Sequence, residues 1–288
     1  MSNNNINKIA IVTGADGGMG QEIVLEVAKQ GYYVVMACVN PSKSQDLCQK
    51  LREESGNKNI YVHELDLTNF SVIDKFVSEV KQIGMPIALL ANNAGVLCWN
   101  RENTIHGIEK TMAVNYVGPY RLTNLLLPLM GEGSRIVNTV SCTYLLGRVA
   151  EEPFYRTKSC FNRFIFYSDS KLALTLFTLK LSEEVKDRGI TVNASDPGIV
   201  STNIIRMGNI VVDKLCDWFF RPFIYQPKRG ASTAVKLLLD PELKGVTGTV
   251  YANKKRTNIP KRVLNHPKME WLWKATQLLI AEIEHNQH

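Results

Sequence analysis

The chain has 288 residues, a formal net charge of +7 and 45% hydrophobic residues, which suits one large globular domain or at most two small ones. No segment approaches the run of about 20 apolar residues that crosses a bilayer, and the polar opening MSNNNINK has no apolar signal-peptide core, so a cytoplasmic chain with no transmembrane segment is expected. The six cysteines, at 38, 48, 98, 142, 160 and 216, form no CxxC pair and read as thiols of a reducing compartment, and the five scattered histidines argue against zinc.

In chain order, 8-KIAIVTG-14 is a short β-branched run closed by glycine, hence a buried strand. Residues 18–30 carry Ile23, Val24, Val27 and Ala28 at helical spacing, 32-YYVVMACV-39 is a second strand, 43–55 a polar helix and 60-IYVHELDLT-68 a third strand. A helix (71–83), a strand (86-PIALLANNAG-95), a long helix (about 105–130), a strand (135-RIVNTVS-141), a helix from about 164 and a strand (190-ITVNASDPG-198) follow. Continuous apolar strands alternating with helices indicate a parallel sheet covered on both faces. The expected fold is α/β, a single doubly wound Rossmann domain over 1–288 with about seven parallel strands and helices on both faces. Two stretches interrupt the rhythm: a long basic and aromatic loop at 142–163, and 203–226, a hydrophobic flap that is either core or a lid over an apolar substrate, with membrane-surface contact a third option. A C-terminal extension spans about 252–288. Its segment 254-KKRTNIPKR-262 holds five basic residues. With no nucleic-acid fold signature beside it, a solvated face is expected there and no nucleic-acid partner.

Three candidate ligand contacts lie at strand C-termini, where an open α/β sheet binds its ligand. In 13-TGADGGMG-20, the spacing GxxxGxG of Gly14, Gly18 and Gly20 lets backbone turn and approach a pyrophosphate at a helix N-terminus. In 65-LDLT-68, Asp66 can accept from an adenine amino group, or else cap the next helix. In 91-ANNAG-95, Asn93, Ala94 and Gly95 allow backbone to pass close to a ribose, or else form an ordinary turn.

The stretch 164-FIFYSDSK-171 sets Tyr167 and Lys171 on one helix face. A free phenol has a pKa near 10, and a neighbouring ammonium is expected to lower it. Ser141, from another strand, is placed to polarise a carbonyl beside the phenol. A tyrosine–lysine pair alone is usually surface decoration, and its combination with the glycine cradle, the NNAG turn, Ser141 and Asn115 carries the signal.

With these motifs, and with VNYVG (114–118), RIVNTVS (135–141) and DPGIVST (196–202), the chain resembles the short-chain dehydrogenase/reductase family over nearly its whole length. The 26-position gap from Ser141 to Tyr167, SKLALTLFTLKLSEEV (170–185) and QPKRGASTAVKLLLDPELKGVTGTVY (226–251) resemble its retinol dehydrogenase-like and WW-domain-oxidoreductase-like members. The resemblance implies that Tyr167 is the general acid/base, that Lys171 binds the nicotinamide ribose and tunes it, that Ser141 stabilises the substrate oxygen, and that Asn115 holds a proton-relaying water. It places Gly14, Gly18, Met19 and Gly20 on the pyrophosphate, Asp66 and Leu67 on the adenine, Asn93 on the adenosine ribose, and Pro197, Gly198 and Thr202 at the nicotinamide end. The cofactor would supply the hydride and the chain the positioning and acid/base chemistry. Where relatives have paired serines this chain has Val140-Ser141; a gapless count puts Ser141 on the catalytic position, and a shift of one would put Cys142 there.

The end of the second strand, 37-ACVNPSK-43, has no acid for a ribose 2′-hydroxyl, so NADP is expected ahead of NAD, with Lys43 supplying charge for a 2′-phosphate beside Asn40 and Ser42. The expected activity is hydride transfer to or from a carbonyl or alcohol on a partly apolar small molecule, around Trp99, Trp218, Phe220 and Phe223. Two rival classes are a catalytically idle nucleotide-binding sensor or scaffold, disfavoured because all four catalytic candidates are present, and an extended-type sugar-nucleotide epimerase, disfavoured because its TGxxGxxG opening is absent. A homodimer through the helices carrying Asn115 and Tyr167 is open, since 120-YRLTNLLLPLM-130 is apolar enough for an interface or for core.

Overall fold

The computed structural model describes residues 5–155, 162–198 and 226–286. Short β-branched runs form the strands: β1 (Ile9–Thr13), β2 (Tyr33–Cys38), β3 (Ile60–Glu64), β4 (Ile87–Asn92), β5 (Met130–Thr139), β6 (Thr191–Asp196), β7 (Val250–Ala252) and β8 (Lys255–Arg256). They make one sheet in the order β3-β2-β1-β4-β5-β6-β7-β8. Seven strands run parallel, and the two-residue β8 adds an antiparallel eighth, against about seven expected. Asn253 and Lys254 turn the β7–β8 hairpin with φ of 48° and 62°, the left-handed pair of a tight two-residue turn. The exposed basic residues Lys254, Lys255 and Arg256 are therefore displayed on a hairpin, in keeping with a solvated face.

The helices are α1 (Gly18–Lys29), α2 (Gln45–Ser55), α3 (Phe70–Gln82), α4 (Lys110–Met112), α5 (Gly118–Leu126), α6 (Arg163–Glu184), α7 (Pro227–Leu239), α8 (Lys261–Leu264) and α9 (Met269–His285). Alternate β1 residues feed two cores, as a strand's period of two requires. Ala10 and Val12 pack with α1, α2 and α7, and Ile9 and Ile11 with α3, α5, α6 and α9. The long helix expected from about 105 starts only at Lys110, because Gly107 at φ +76° turns the chain and Glu109 caps the helix through Met112 N–H. Between α4 and α5 lies a π-helical turn, Ala113–Val117, a rare local geometry found most often at functional sites. β5 ends at Thr139, two residues earlier than expected, so Ser141 sits just beyond the strand and caps a short turn through Thr143 N–H.

The strand order reverses between β1 and β4, and the C-terminal ends there open a crevice. Segment 120–130 is largely core: Tyr120, Leu122, Leu126 and Met130 are buried. The chain's own α9 covers that face. Trp273 stacks on Phe177 and meets Tyr120 edge-on, and Arg121 joins Asp74 and Glu284. The Tyr116 phenol lies 2.7 Å from the Thr276 hydroxyl, which in turn donates to Leu272 O at 2.7 Å. Thr276→Val keeps the shape but leaves the buried phenol unpartnered, so it is expected to lower stability by about 1–3 kcal/mol, read as a lower urea midpoint.

Candidate functional site

The crevice holds a cavity of about 530 Å³ lined by the β1–α1 turn, the end of β3 and the turn after β4. Gly14, Gly18, Met19, Gly20, Asp66, Leu67, Asn93, Ala94 and Gly95 all line it. A Cβ on Gly20 would run into the carbonyl oxygen of Gly14 and lie 2.8 Å from Ala15 Cα. Only glycine lets α1 begin this close to the turn, which leaves its first N–H groups and positive end at the cavity. Asn93 clamps the two turns together: its Nδ2 donates to Thr13 O at 3.0 Å and Gly14 O at 3.2 Å, and Thr13 Oγ1 accepts from Asn93 N and Ala94 N at 3.0 Å each. Its buried Oδ1 has no partner among the described residues, an acceptor left over for a ligand hydroxyl. A cradle that excludes side chains and a spare buried acceptor fit an extended dinucleotide.

Asp66 does not cap α3; Asn69 does, through Ser71 N–H. Asp66 Oδ1 instead accepts from Thr68 N at 2.8 Å and Thr68 Oγ1 at 2.7 Å, a local turn that holds the carboxylate at the cavity wall. Lys43 is not part of that wall: it is exposed, in a single 3-10 turn at Ser42–Ser44. The wall at the end of β2 is made by Ala37, Val39 and, across from them, Asp16. Asp16 is a residue that sequence reasoning missed, although it stands inside the glycine motif. Its Oδ2 lies 3.5 Å from the Ser44 hydroxyl.

At the other end of the crevice four side chains converge. Asn115, fully buried in the π-helical turn, accepts from Val96 N at 2.8 Å and donates to Val96 O at 2.9 Å and Ser170 Oγ at 3.0 Å. Both of its N–H donors are thus taken, so a water beside it must be held by an oxygen. Ser170 donates in turn to Tyr167 O at 2.7 Å. This hydroxyl, one residue before Lys171, ties the helix of the tyrosine to Asn115 and was also missed. Lys171 is buried, and its Nζ donates to Thr139 O at 2.8 Å. Gly95 makes room for it: a Cβ there would lie 3.2 Å from that Nζ and 3.4 Å from Asn115 Oδ1. The Ser141 hydroxyl acts to hold the Tyr167 phenol down, whereas the Cys142 charge pushes it up, so of the two neighbours Ser141 is the one that favours the phenolate.

The expected lowering of the tyrosine's pKa is not what the surroundings produce. Burial pushes Tyr167 up to about 12, the Asp196 and Cys142 charges add to the rise, and only the Ser141 hydroxyl opposes it. Lys171 donates a hydrogen bond to the Thr139 carbonyl, and burial draws its pKa down to about 8 against the pull of Asp196. Desolvation outweighs the i,i+4 partner, Lys171 being buried and Tyr167 half-buried. Pro197 and Gly198 follow β6 outside the cavity wall, Gly198 N donating to Asp196 Oδ1 at 2.9 Å. Thr202, Trp218, Phe220, Phe223 and all but the last residue of the flap expected at 203–226 lie outside the described residues. Trp99, half exposed, has the Arg163 guanidinium 3.7 Å from its ring centre, and Phe164 stands beside the same guanidinium at the start of α6.

Among the described residues, no group of three or more His, Cys, Asp or Glu could hold a metal ion, and no helix is long and apolar enough to cross a membrane. The family model described as short chain dehydrogenase matches residues 8–209. Human polyprenol dehydrogenase is 31% identical over 278 residues, 93% of this chain and 83% of that protein. Human retinol dehydrogenase 12 is 30% identical over 282 residues, 95% of this chain and 86% of that protein. Among solved structures, a blue fluorescent protein from a metagenomic library in complex with NADPH superposes with a TM-score of 0.68 at 27% identity, covering 87% of this chain and 97% of that one.

Proposed function

The chain belongs to the short-chain dehydrogenase family, in its retinol dehydrogenase-like subgroup, and is an NAD(P)-dependent oxidoreductase of alcohol and carbonyl groups; on that premise we propose the roles of its residues, its cofactor and its substrate class. The packing of Lys171 and Asn115 directly behind Gly95 and Val96 of the glycine-turn cavity wall, with Tyr167 and Ser141 beside them, supports the reading. Gly14, Gly18, Met19 and Gly20 hold the pyrophosphate, Asp66 and Leu67 the adenine, and Asn93 Oδ1, with Ala94 and Gly95, the adenosine ribose. A bound nicotinamide dinucleotide supplies or accepts the hydride. The chain does the rest: Ser141 Oγ donates to the substrate oxygen, Tyr167 Oη gives or takes its proton, and Lys171, steadied by Thr139 O, orients a ribose hydroxyl and the phenol. Asn115 and Ser170 keep the helix of Tyr167 in register, and Pro197 and Gly198 border the nicotinamide end, with Thr202 assigned there from the resemblance.

The substrate is an apolar alcohol or aldehyde of the kind named for the relatives, a polyprenol or a retinoid. The half-exposed Trp99 and exposed Phe164 near the Tyr167 helix supply an apolar approach. We place the whole chain in one dehydrogenase domain acting in the cytoplasm, with 203–226 as the substrate flap. The four described cysteines are free thiols.

NADP is the proposed cofactor, supported by the lack of an acid on the strand end Cys38-Val39-Asn40 and by the NADPH-bound neighbour. One observation favours NAD instead: the cavity wall there carries the Asp16 carboxylate and not Lys43, and a negative charge repels a 2′-phosphate. Titration of the pure protein with NADPH and NADH, followed by nicotinamide fluorescence, decides. Tighter NADPH binding supports the NADP reading, and Asp16→Asn should then tighten it further by removing a repulsion. Tighter NADH binding overturns that assignment, and binding of neither overturns the cavity as a cofactor site.

A further inference from the structure

Asp169 stands between Tyr167 and Lys171 on α6, is 5% exposed and has no role in the reaction as derived. Its Oδ1 accepts from Arg148 N at 2.7 Å, a bond that crosses from α6 to the turn headed by Ser141. The sheet does not hold that turn: β5 ends at Thr139, and Val140 N, donating to Ser195 O at 2.9 Å, makes the last ladder bond before Ser141. Within the turn, Ser141 caps Thr143 N–H, Tyr144 N donates to Ser141 O and Leu146 N to Thr143 O at 2.9 Å each, and Gly147 N donates to Tyr144 O at 3.3 Å. At Gly147 the turn lies against α6: a Cβ there would run into the carbonyl oxygen of Ser168 and lie 2.8 Å from Leu172 Cβ. The hydrogen-bonded stretch that begins at Ser141 therefore ends on Ser168 and Asp169, the two residues that follow Tyr167. On its outer side, Arg262 Nη2 donates to Leu145 O at 2.7 Å and Lys268 Nζ to Val149 O at 3.2 Å. Those long side chains can follow the turn if it shifts, whereas the short, buried Asp169 has little rotamer freedom to do so.

We propose that Asp169 is a positioning residue of the catalytic site, whose carboxylate closes the Ser141 turn onto the Tyr167 helix at Arg148 N–H and so fixes where the serine hydroxyl stands relative to the phenol. This rests on the acid/base reading of Ser141 and Tyr167. That chemistry brings two hydroxyls from different segments to one substrate oxygen, and a misplacement of about 1 Å costs up to about 10²-fold in rate. Ser141 lies past the sheet and Tyr167 lies on a helix, so a bond between turn and helix is what sets their spacing. Gly147 lets the two backbones approach, and Asp169 fastens them one residue later.

The test compares Asp169→Ala with Asp169→Asn. The alanine variant should lose about 10–100-fold in kcat for carbonyl reduction. Its NADPH affinity should stay at the wild-type value, because Cys142 to Val149 stand outside the wall of the dinucleotide cavity. Asparagine keeps an acceptor oxygen in the same place and should return kcat to within a few-fold of wild type. The bond also has a readout that needs no turnover: the Arg148 amide, followed by 15N NMR, should exchange with solvent about ten-fold faster in Asp169→Ala than in wild type or Asp169→Asn. Wild-type kcat in the alanine variant overturns the proposal, as does an asparagine variant no better than alanine. A loss of kcat matched by a loss of NADPH affinity also overturns it, since general loosening would do that. Should Asp169→Ala fail to fold, Gly147→Ala decides. It keeps Asp169, lifts the same turn off Ser168 O and should lower kcat over the same range, and wild-type kcat there overturns the proposal. Wild-type protein that binds cofactor but turns over no carbonyl or alcohol sinks the enzymatic reading, and the Arg148 exchange would still show whether Asp169 holds the turn.

Discussion

Replacing Tyr167 by phenylalanine should cut kcat/KM for carbonyl reduction by about 10²–10⁴-fold, the contribution of a positioned acid/base group, while leaving cofactor affinity unchanged. The phenol lies beside Ser141 and is pushed up to about 12, so at neutral pH it carries its proton and is ready to donate to a carbonyl oxygen. Alcohol oxidation requires the phenolate and should rise with pH toward that value. Lys171 is drawn down to about 8. Its ammonium, the form that can donate both to Thr139 O and to a ribose hydroxyl, is the majority species below that pH and is lost above it. Reduction by the wild-type protein should therefore be level below about 8 and fall above it. Nicotinamide absorbance under saturating cofactor measures both directions. A phenylalanine variant that keeps its rate within a few-fold of wild type would remove Tyr167 from the mechanism.

The second large effect is expected at Gly20. An alanine there forces its Cβ against the backbone of Gly14 and to 2.8 Å from Ala15 Cα, and neither is the movable tip of a flexible side chain. Either the turn opens or α1 moves away from it. Overpacking of this kind costs about 1–3 kcal/mol, and most of it falls on the atoms of the proposed pyrophosphate cradle. Gly20→Ala should weaken NADPH binding by about ten-fold or more, each ten-fold being about 1.4 kcal/mol, and lower the thermal midpoint. Gly131→Ala is the control: a Cβ there meets nothing within 4 Å, so its affinity should match wild type. Equal affinities in the two variants would mean that the turn does not cradle the cofactor.

Much of this molecule is legible in its sequence because the signals are local and periodic. Strand and helix alternation, the glycine spacing at 14, 18 and 20, and the i,i+4 offset of Tyr167 and Lys171 are properties of neighbouring residues. So is the gapless count that names Ser141 ahead of Cys142. What depends on distant segments meeting was not legible. Asp16 became a wall of the crevice cavity only when the β1–α1 turn was laid beside the end of β2, and Lys43 is not in that wall because a short 3-10 turn carries the lysine outward. Segment 120–130 was apolar enough for an interface or for core, and α9, more than 130 positions away, decided the matter by covering it.

The sequence by itself determined the fold class and the glycine turn, since each follows from backbone sterics or periodicity within a few residues, and it named the side chains to which the proposed chemistry is assigned. Only the tertiary structure decided how those side chains ionise. The tyrosine is raised and not lowered and the lysine is drawn down, because the cost of burying a charge is set by everything packed around it and no short stretch of sequence records it.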